Sequence, residues 1–445
     1  MVSNRRRSWL FFIGLQLFFL GMFAAYGIGI YNDSEQYISM HIHREPLYPL
    51  FLALFRMIAG ESAGLTLAAV VQNILTAFSI FCLIEYLRKQ FSLGVIGELI
   101  LLILELMPHL VTRYVSAYGI FLENSIMSEA LCIPLFQFFI LFTLRMIYEG
   151  KKTDMIWSLM FAWLLSMTRG QMMTTILMWV VIVELMLIIR RQYKRLLIPF
   201  LAVVCVFGVR SLSVHTYNYF IAGYFMGNTY GQVNTLTNVI YACDEEDGEV
   251  FEEGSLEREF FERFYAEADA MGASYKYGGN TFTERVGHLE EYHDKLKFDV
   301  LEAGFSAYYW TLPEMDSYYK QSSMSDEMAG RMLSKLLPVC FGQWLYDYIL
   351  LCAYGFIRSI AVVHPLINWI ALLIYAAAIG LTIWRLRSRR QSDAVWMMGV
   401  ALLFIAANVC ATSITIMCLS RYMIYGFSPF YIAFFLLGRD GRRTG

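Results

Sequence analysis

Ten apolar runs, most of about 17 to 25 residues, recur along the chain near 9–30, 64–87, 93–108, 125–147, 154–168, 171–189, 196–214, 365–384, 394–414 and 421–437. A run of that length can satisfy its backbone polar groups in hydrocarbon only as a helix. The expected fold is therefore an all-α polytopic membrane protein with about ten transmembrane helices. Hydrophobic residues make up 58% of the chain and charged residues 16%, against roughly 45–50% and 25% in soluble domains. A net charge of −2 gives no footprint for nucleic acid as a partner.

The charges are informative by position. Arg5, Arg6, Arg7; Arg88, Lys89; Arg145, Lys151, Lys152; Arg190, Arg191, Lys194, Arg195; Arg385, Arg387, Arg389, Arg390; and Arg439, Arg442, Arg443 fall at every second loop. The positive-inside rule makes all of them cytoplasmic, with both termini on that side. Two further apolar stretches break this parity if they cross. Pro46 to Ala59 is too short to span, and Cys340 to Val363 would misplace the basic loops, so both are read as helices on the outer face. The basic start "NRRRSWLFFIGLQLFFLGMFAAYGIGIY" precedes an apolar run of span length and is read as a retained first helix rather than a signal peptide.

Three regions follow: 1–214, an N-terminal transmembrane module with the first outer loop; 215–338, an acidic outer segment; and 339–445, an interfacial helix with the last spans. Within "CDEEDGEVFEEGSLEREFFERF" and beyond, Leu256, Phe260, Phe261, Phe264, Ala268 and Met271 recur at helical spacing. Cys243 and Cys340 flank the polar region and could pair if it faces an oxidising compartment. The aromatic group "AYYWTLPEMDSYY" suits a headgroup belt.

Once the cytoplasmic clusters and the outer segment's own charges are set aside, seven basic residues remain: Arg44, Arg56, Arg113, Arg169, Arg210, Arg358 and Arg421. All are arginine, and all fall at or near outer helix ends, against the positive-inside bias. Guanidinium groups grip phosphate through a planar fork and are weakly hydrated, which suits a half-buried phosphate at an interface. Carboxylates share that side: Asp33 and Glu35 in "YNDSEQYISMHIHREPLYPL", Glu123 and Glu129 before and at the fourth span, and Glu105 in the third. Ionisable groups at membrane depth are costly and face a cavity or a partner. His41 and His43 form a His-x-His without a third ligand, and Pro46 and Pro49 suit the first turn of a helix.

"NDSEQYISMHIHREPLYPLFLAL" resembles the first outer loop of the GT-C membrane glycosyltransferases, where an acid after the first helix precedes a Tyr and a Pro-x-x-Pro approach to an interfacial helix. "NSIMSEALCIPLFQFFILFTLR", "LLSMTRGQMM" and "LSRYMIYGFSPFYIAFFLL" agree with it in order and spacing; the acidic outer segment does not match. The likeness is to the superfamily, nearer its bacterial aminoarabinose and mannosyl transferases. It implies an enzyme of the plasma (inner) membrane that moves a sugar from a polyprenyl-phosphate donor to a lipid, glycan or protein acceptor on the outer face, with inversion, in cell-envelope glycan synthesis.

The resemblance assigns Asp33 as the base. Its place just outside an apolar helix suits a raised pKa or a bound divalent ion, so the metal is left open, with Asp33 as its ligand if there is one. Arg44, Arg113, Arg169 and Arg421 are expected to stabilise the leaving phosphate, with hydroxyls from Tyr48 and Tyr422. Glu129 would orient an arginine or bind the acceptor. Glu35 and Arg358 are accessory; Glu35 shares Asp33's face only if the segment is extended. A lipid-linked sugar flippase or transporter, a glycan polymerase or ligase of the same fold, and a non-catalytic assembly subunit are the competing readings.

Overall fold

A computed structural model describes residues 2–115, 119, 121–388 and 393–440; the basic positions Arg389, Arg390, Arg442 and Arg443 lie outside them. Helix dominates, and no strand occurs among the described residues. The chain forms two compact units.

The first unit comprises Met1–Met226, Ile357–Asn408 and Ser420–Gly445. It begins with α1 (Val2–Tyr26), α2 (Ser34–Ile38), α3 (Leu47–Ala59), α4 (Glu61–Gln90), α5 (Val95–Tyr114), α6 (Ser128–Glu149), α7 (Lys152–Thr168), α8 (Thr174–Ile189) and α9 (Leu197–Ala222). The second unit, Gly227–Phe356 with Val409–Leu419, holds α10 (Gly231–Tyr241), α11 (Leu256–Ala270), α12 (Phe282–Lys295), α13 (Ala303–Tyr309), α14 (Tyr318–Val339) and most of α15 (Phe341–Ile360). The chain then adds α16 (Pro365–Arg387), α17 (Asp393–Thr415), α18 (Ser420–Met423) and α19 (Phe427–Asp440).

Among the described residues eight helices are long and apolar enough to cross a membrane: Arg6–Tyr26, Glu61–Gln90, Val95–Tyr114, Ser128–Glu149, Gly170–Ile189, Tyr193–Ala222, Pro365–Arg387 and Asp393–Thr415. This is the pattern of a helical multi-pass membrane protein. The apolar runs predict ten. The difference lies at 154–168, where α7 has only 17 residues, and at 421–437, where the run divides into α18, a 3-10 turn and the 14-residue α19.

Residues 215–222 complete α9, and α14 and α15 meet at 99° just after Pro338, which removes a helical N–H. Within α11 the spacing read from sequence buries Phe260, Phe261, Phe264 and Ala268, and Ser255 caps the helix by accepting from the Arg258 N–H.

Two features of the first unit position the site. Gly27 takes φ +66, and its N–H bonds to the Phe23 carbonyl, ending α1. The chain then forms a parallel bridge, Gly29 to Ser125, with the Gly29 N–H on the Asn124 carbonyl at 2.9 Å and the Ile126 N–H on the Gly29 carbonyl at 2.9 Å. The first loop is thereby pinned beside the start of α6.

The second feature is the α3–α4 hairpin. Helix α3 has 13 residues, about 20 Å of helix, too short for a hydrocarbon core of about 30 Å. It buries Tyr48, Pro49 and Leu52 and exposes the apolar Leu50, Leu54, Met57 and Ile58. A Cβ on Gly64 would stand 2.5 Å from the Arg56 Cα and 2.6 Å from the Phe55 carbonyl oxygen, both backbone atoms that cannot step aside. Gly64→Ala is therefore expected to force the hairpin apart and lower stability by about 1–3 kcal/mol. A denaturation midpoint in detergent, with Gly14→Ala as the open-space control, checks this.

Candidate functional site

Asp33 stands immediately before α2, and its side chain does not cap that helix. The turn is fastened instead by buried Ser34, whose Oγ accepts the Tyr31 N–H at 2.8 Å. The Asp33 carboxylate is left for two cations. Arg44 Nη2 donates to Oδ1 at 2.8 Å, and Arg421 Nη1 donates to Oδ2 at 3.3 Å. The Asp33 side chain is one-third exposed (33%), so the group meets solvent on one side.

The network continues inward. Arg44 Nε donates to Gln36 Oε1 at 2.8 Å, and Nη1 to the Tyr37 hydroxyl at 3.3 Å. Tyr37 shares a hydrogen bond of 2.9 Å with Ser128 at the start of α6. Arg169 Nη1 donates to Ser128 Oγ at 3.2 Å and pairs with Glu129 Oε2 at 2.6 Å. Glu129, 1% exposed, sits in the first turn of α6, where the helix dipole favours a carboxylate. Its other oxygen, Oε1, is buried with no hydrogen-bond partner among the described residues. Tyr422 closes the ring: Arg421 Nη2 donates to its hydroxyl at 2.9 Å, and the guanidiniums of Arg169 and Arg421 each lie 4.9 Å from its ring centroid.

Each arginine arrives through a break in helix. Arg44 lies between α2 and α3. Arg169 follows the end of α7 in extended backbone (φ −148, ψ 133). Arg421 lies in the single turn of α18, held because the carbonyl of Tyr422 accepts from Gln171 Nε2 at 2.8 Å and from Asn408 Nδ2 at 3.0 Å. Three guanidiniums thus face two carboxylates, Asp33 and Glu129, leaving one net positive charge in a partly dry setting. Such a cluster takes an anion, and bidentate forks favour phosphate or carboxylate.

Asp33 does not have the raised pKa that its position suggested. Burial pushes it up, but the charges of Arg44 and Arg421, the Arg44 hydrogen bond and the nearby Arg169 outweigh that and hold it below its ordinary value. In this state it is a carboxylate at neutral pH. A divalent ion also fits poorly, since both carboxylate oxygens are engaged by arginine and no group of three metal-ligating side chains occurs among the described residues. Burial, then the Arg44 charge, lowers the His41 pKa and keeps that imidazole neutral; the His41 and His43 rings lie against each other tilted by 44°, with centroids 4.4 Å apart.

The other expected residues lie elsewhere. Tyr48 is fully buried one layer behind, edge-on to Tyr37 at 5.1 Å, with its hydroxyl donated to Gln72 at 2.9 Å; it supports the site instead of lining it. Arg113 donates to the Gly119 carbonyl at 2.6 Å and lies over Tyr26, with no hydrogen bond or ion pair to the cluster. Glu35 faces solvent because the segment is helical. Arg358 is half-buried in the last turn of α15. Arg56 pairs with Glu61, and Arg210 pairs with Glu45.

Glu105 and Glu123 are fully buried and do not join the cluster. Glu105 accepts from Gln137 at 2.7 Å, and Glu123 meets His109 at 2.5 Å. Two apolar grooves of about 610 Å³ open at the opposite ends of the spans, one among Phe78, Phe81, Phe142 and Trp157 and one beside Leu10 and Leu99. The acids there are already paired, Glu85 with Arg88 and Glu98 with Arg7, so these grooves hold no comparable cluster.

Reading from sequence gave no role in the site to Tyr37, Gln36, Ser128, Gln171 or Asn408. Only Asn408 left a usable signal, as a polar residue in the middle of an apolar run. Comparison with family models, with curated proteins and with solved structures returns no match to this chain.

Proposed function

We propose that the chain is a membrane glycosyltransferase that moves a sugar from a polyprenyl-phosphate donor to a lipid, glycan or protein acceptor at the outer face, with both termini in the cytoplasm. The observation that carries this is the ring of Arg44, Arg169 and Arg421 around Asp33 and Glu129. It stands in the same unit as α3, whose exposed apolar face gives a prenyl chain a place to lie.

The donor phosphate takes the arginine forks in place of Asp33. Released from Arg44 and Arg421, Asp33 is left with desolvation as its dominant influence, which moves its pKa up toward that of a working base. Binding of the donor therefore arms the base. The acceptor hydroxyl gives its proton to Asp33 as its oxygen attacks the anomeric carbon. The bond from that carbon to the phosphate oxygen breaks on the opposite face, inverting the centre, and the departing phosphate stays on Arg169, Arg421 and the Tyr422 hydroxyl. Glu129 holds Arg169 in place and offers its remaining oxygen to an acceptor hydroxyl.

The test is a panel of polyprenyl-phosphate sugars presented to purified protein in nanodiscs. One donor is expected to bind and turn over. Arg44→Ala and Arg421→Ala should each weaken its binding by about 10- to 100-fold, the worth of a charge-assisted hydrogen bond. Absence of both binding and turnover with every donor overturns the proposal.

A further inference from the structure

Cys243 and Cys340 are ninety-seven positions apart in sequence, yet in the second unit their thiols lie close enough to interact. Both are free thiols and both are buried, at 0% and 5% exposure. The contact follows from how two helices run side by side. At one end Asp326 of α14 accepts the N–H groups of Gln232 and Val233 at 2.8 and 3.1 Å, satisfying the start of α10, and Thr229 bonds Ser322 at 2.9 Å. At the other end α10 gives way to Cys243, whose N–H bonds the Ile240 carbonyl at 3.2 Å. There α14 ends at Cys340, whose N–H bonds the Leu336 carbonyl at 3.1 Å.

We propose that Cys243 and Cys340 are joined by a disulfide in the mature protein. This rests on the proposed function and on the outer placement that the basic loops assign to residues 215–338 and the helix after them, because such bonds persist in oxidising compartments. The oxidant belongs to the class of disulfide donors, an oxidised dithiol protein or glutathione disulfide. One thiolate attacks the donor disulfide and expels the donor's first thiol. The second thiolate then attacks the mixed disulfide, forming the Cys243–Cys340 bond and releasing the donor's other sulfur as a thiol. Two electrons and two protons pass to the donor, and the chain's two thiols become one disulfide.

Timing follows from the surroundings. Contact with Cys340, then burial, pushes the Cys243 thiol up, and both thiols are closed off from an oxidant in the folded unit. The bond therefore forms as the unit folds. Cys352 and Cys410 also touch, but the hydroxyls of Tyr348 and Ser413 share that contact, which gives those thiols other partners.

The experiment uses full-length protein in membranes from its own host, acid-quenched, unfolded and alkylated, then digested without reductant. The expected result is a linked peptide containing Cys243 and Cys340, lost in Cys243→Ser and in Cys340→Ser. Reduction should increase the unfolding equilibrium constant of the wild type on the order of a thousandfold, as expected for opening a loop of about 100 residues. Alkylated, unlinked Cys243 and Cys340 overturn the proposal. A separate Glu253→Cys variant at an exposed position, treated on intact cells with a membrane-impermeant maleimide, then shows what has failed. Labelling leaves the outer-face placement standing and sinks the disulfide alone, whereas no labelling removes the placement as well.

Discussion

Asp33→Asn is expected to lower sugar transfer by about 10²- to 10⁴-fold, the usual worth of a positioned base, while donor binding holds or tightens. The asymmetry comes from the ion pairs. In the resting site Asp33 occupies Arg44 and Arg421, at 2.8 and 3.3 Å, and so competes with the donor phosphate for the same forks. An amide keeps the shape, gives up the negative charge and cannot accept the proton. Single-turnover transfer measured beside donor affinity separates the two effects. Transfer within a few-fold of wild type would rule out Asp33 as the base. Loss of transfer together with retained movement of lipid-linked sugar across the bilayer would instead favour a flippase.

The second large effect is on stability. Arg169→Met strands the Glu129 carboxylate, 1% exposed, without the partner that now stands 2.6 Å away. Breaking a buried pair from one side costs about 3–5 kcal/mol, because a charge is left in a place where water cannot reach it. Adding Glu129→Gln to Arg169→Met removes the stranded charge, so the double variant is expected to recover most of the loss while remaining unable to transfer sugar. Denaturation midpoints of the two single variants and the double variant in nanodiscs give the coupling directly. If the double variant is as unstable as the sum of the singles, the pair is not the electrostatic unit described.

The charged members of the site were legible because charge is conspicuous in an apolar chain. Asp33, Arg44, Glu129, Arg169 and Arg421 stand where span parity and the positive-inside bias leave them without another cause, and the structure joins all five in one network. Arg113 met the same criterion, yet it turns to the Gly119 carbonyl; sequence places a residue at a helix end without fixing its rotamer. Tyr48 was assigned to the right neighbourhood and the wrong layer, because burial behind Tyr37 depends on how α3 packs on α4. Ser128 and Tyr37 stood inside the quoted motifs without a role in the site: a hydroxyl at the start of α6 looks like an ordinary cap, and nothing in the sequence aims the Tyr37 hydroxyl, near the end of α2, at Ser128.

A polar break marks the end of α7 at Arg169–Gly170, though α7 itself falls short of span length. At 421–437 the run divides into α18, a 3-10 turn and α19, and the interruption is made of residues as apolar as the helix that follows. Gly426 there lets Ile405 approach to 2.7 Å from where a Cβ would be, and a run of hydropathy carries no trace of such a contact.

The three arginines enter from the breaks after α2, after α7 and before α19, and the Arg421–Asp33 bond spans 388 positions of chain. An anion held by all three is therefore a tie between segments made at opposite ends of the polypeptide. A piece that does not run from Asp33 to Arg421 lacks part of the grip, and an unfolded chain has none. By linkage an anion bound there shares its binding energy with tertiary assembly, so under the proposed function the donor would also act, while it stays, as a fastening of the bundle that receives it.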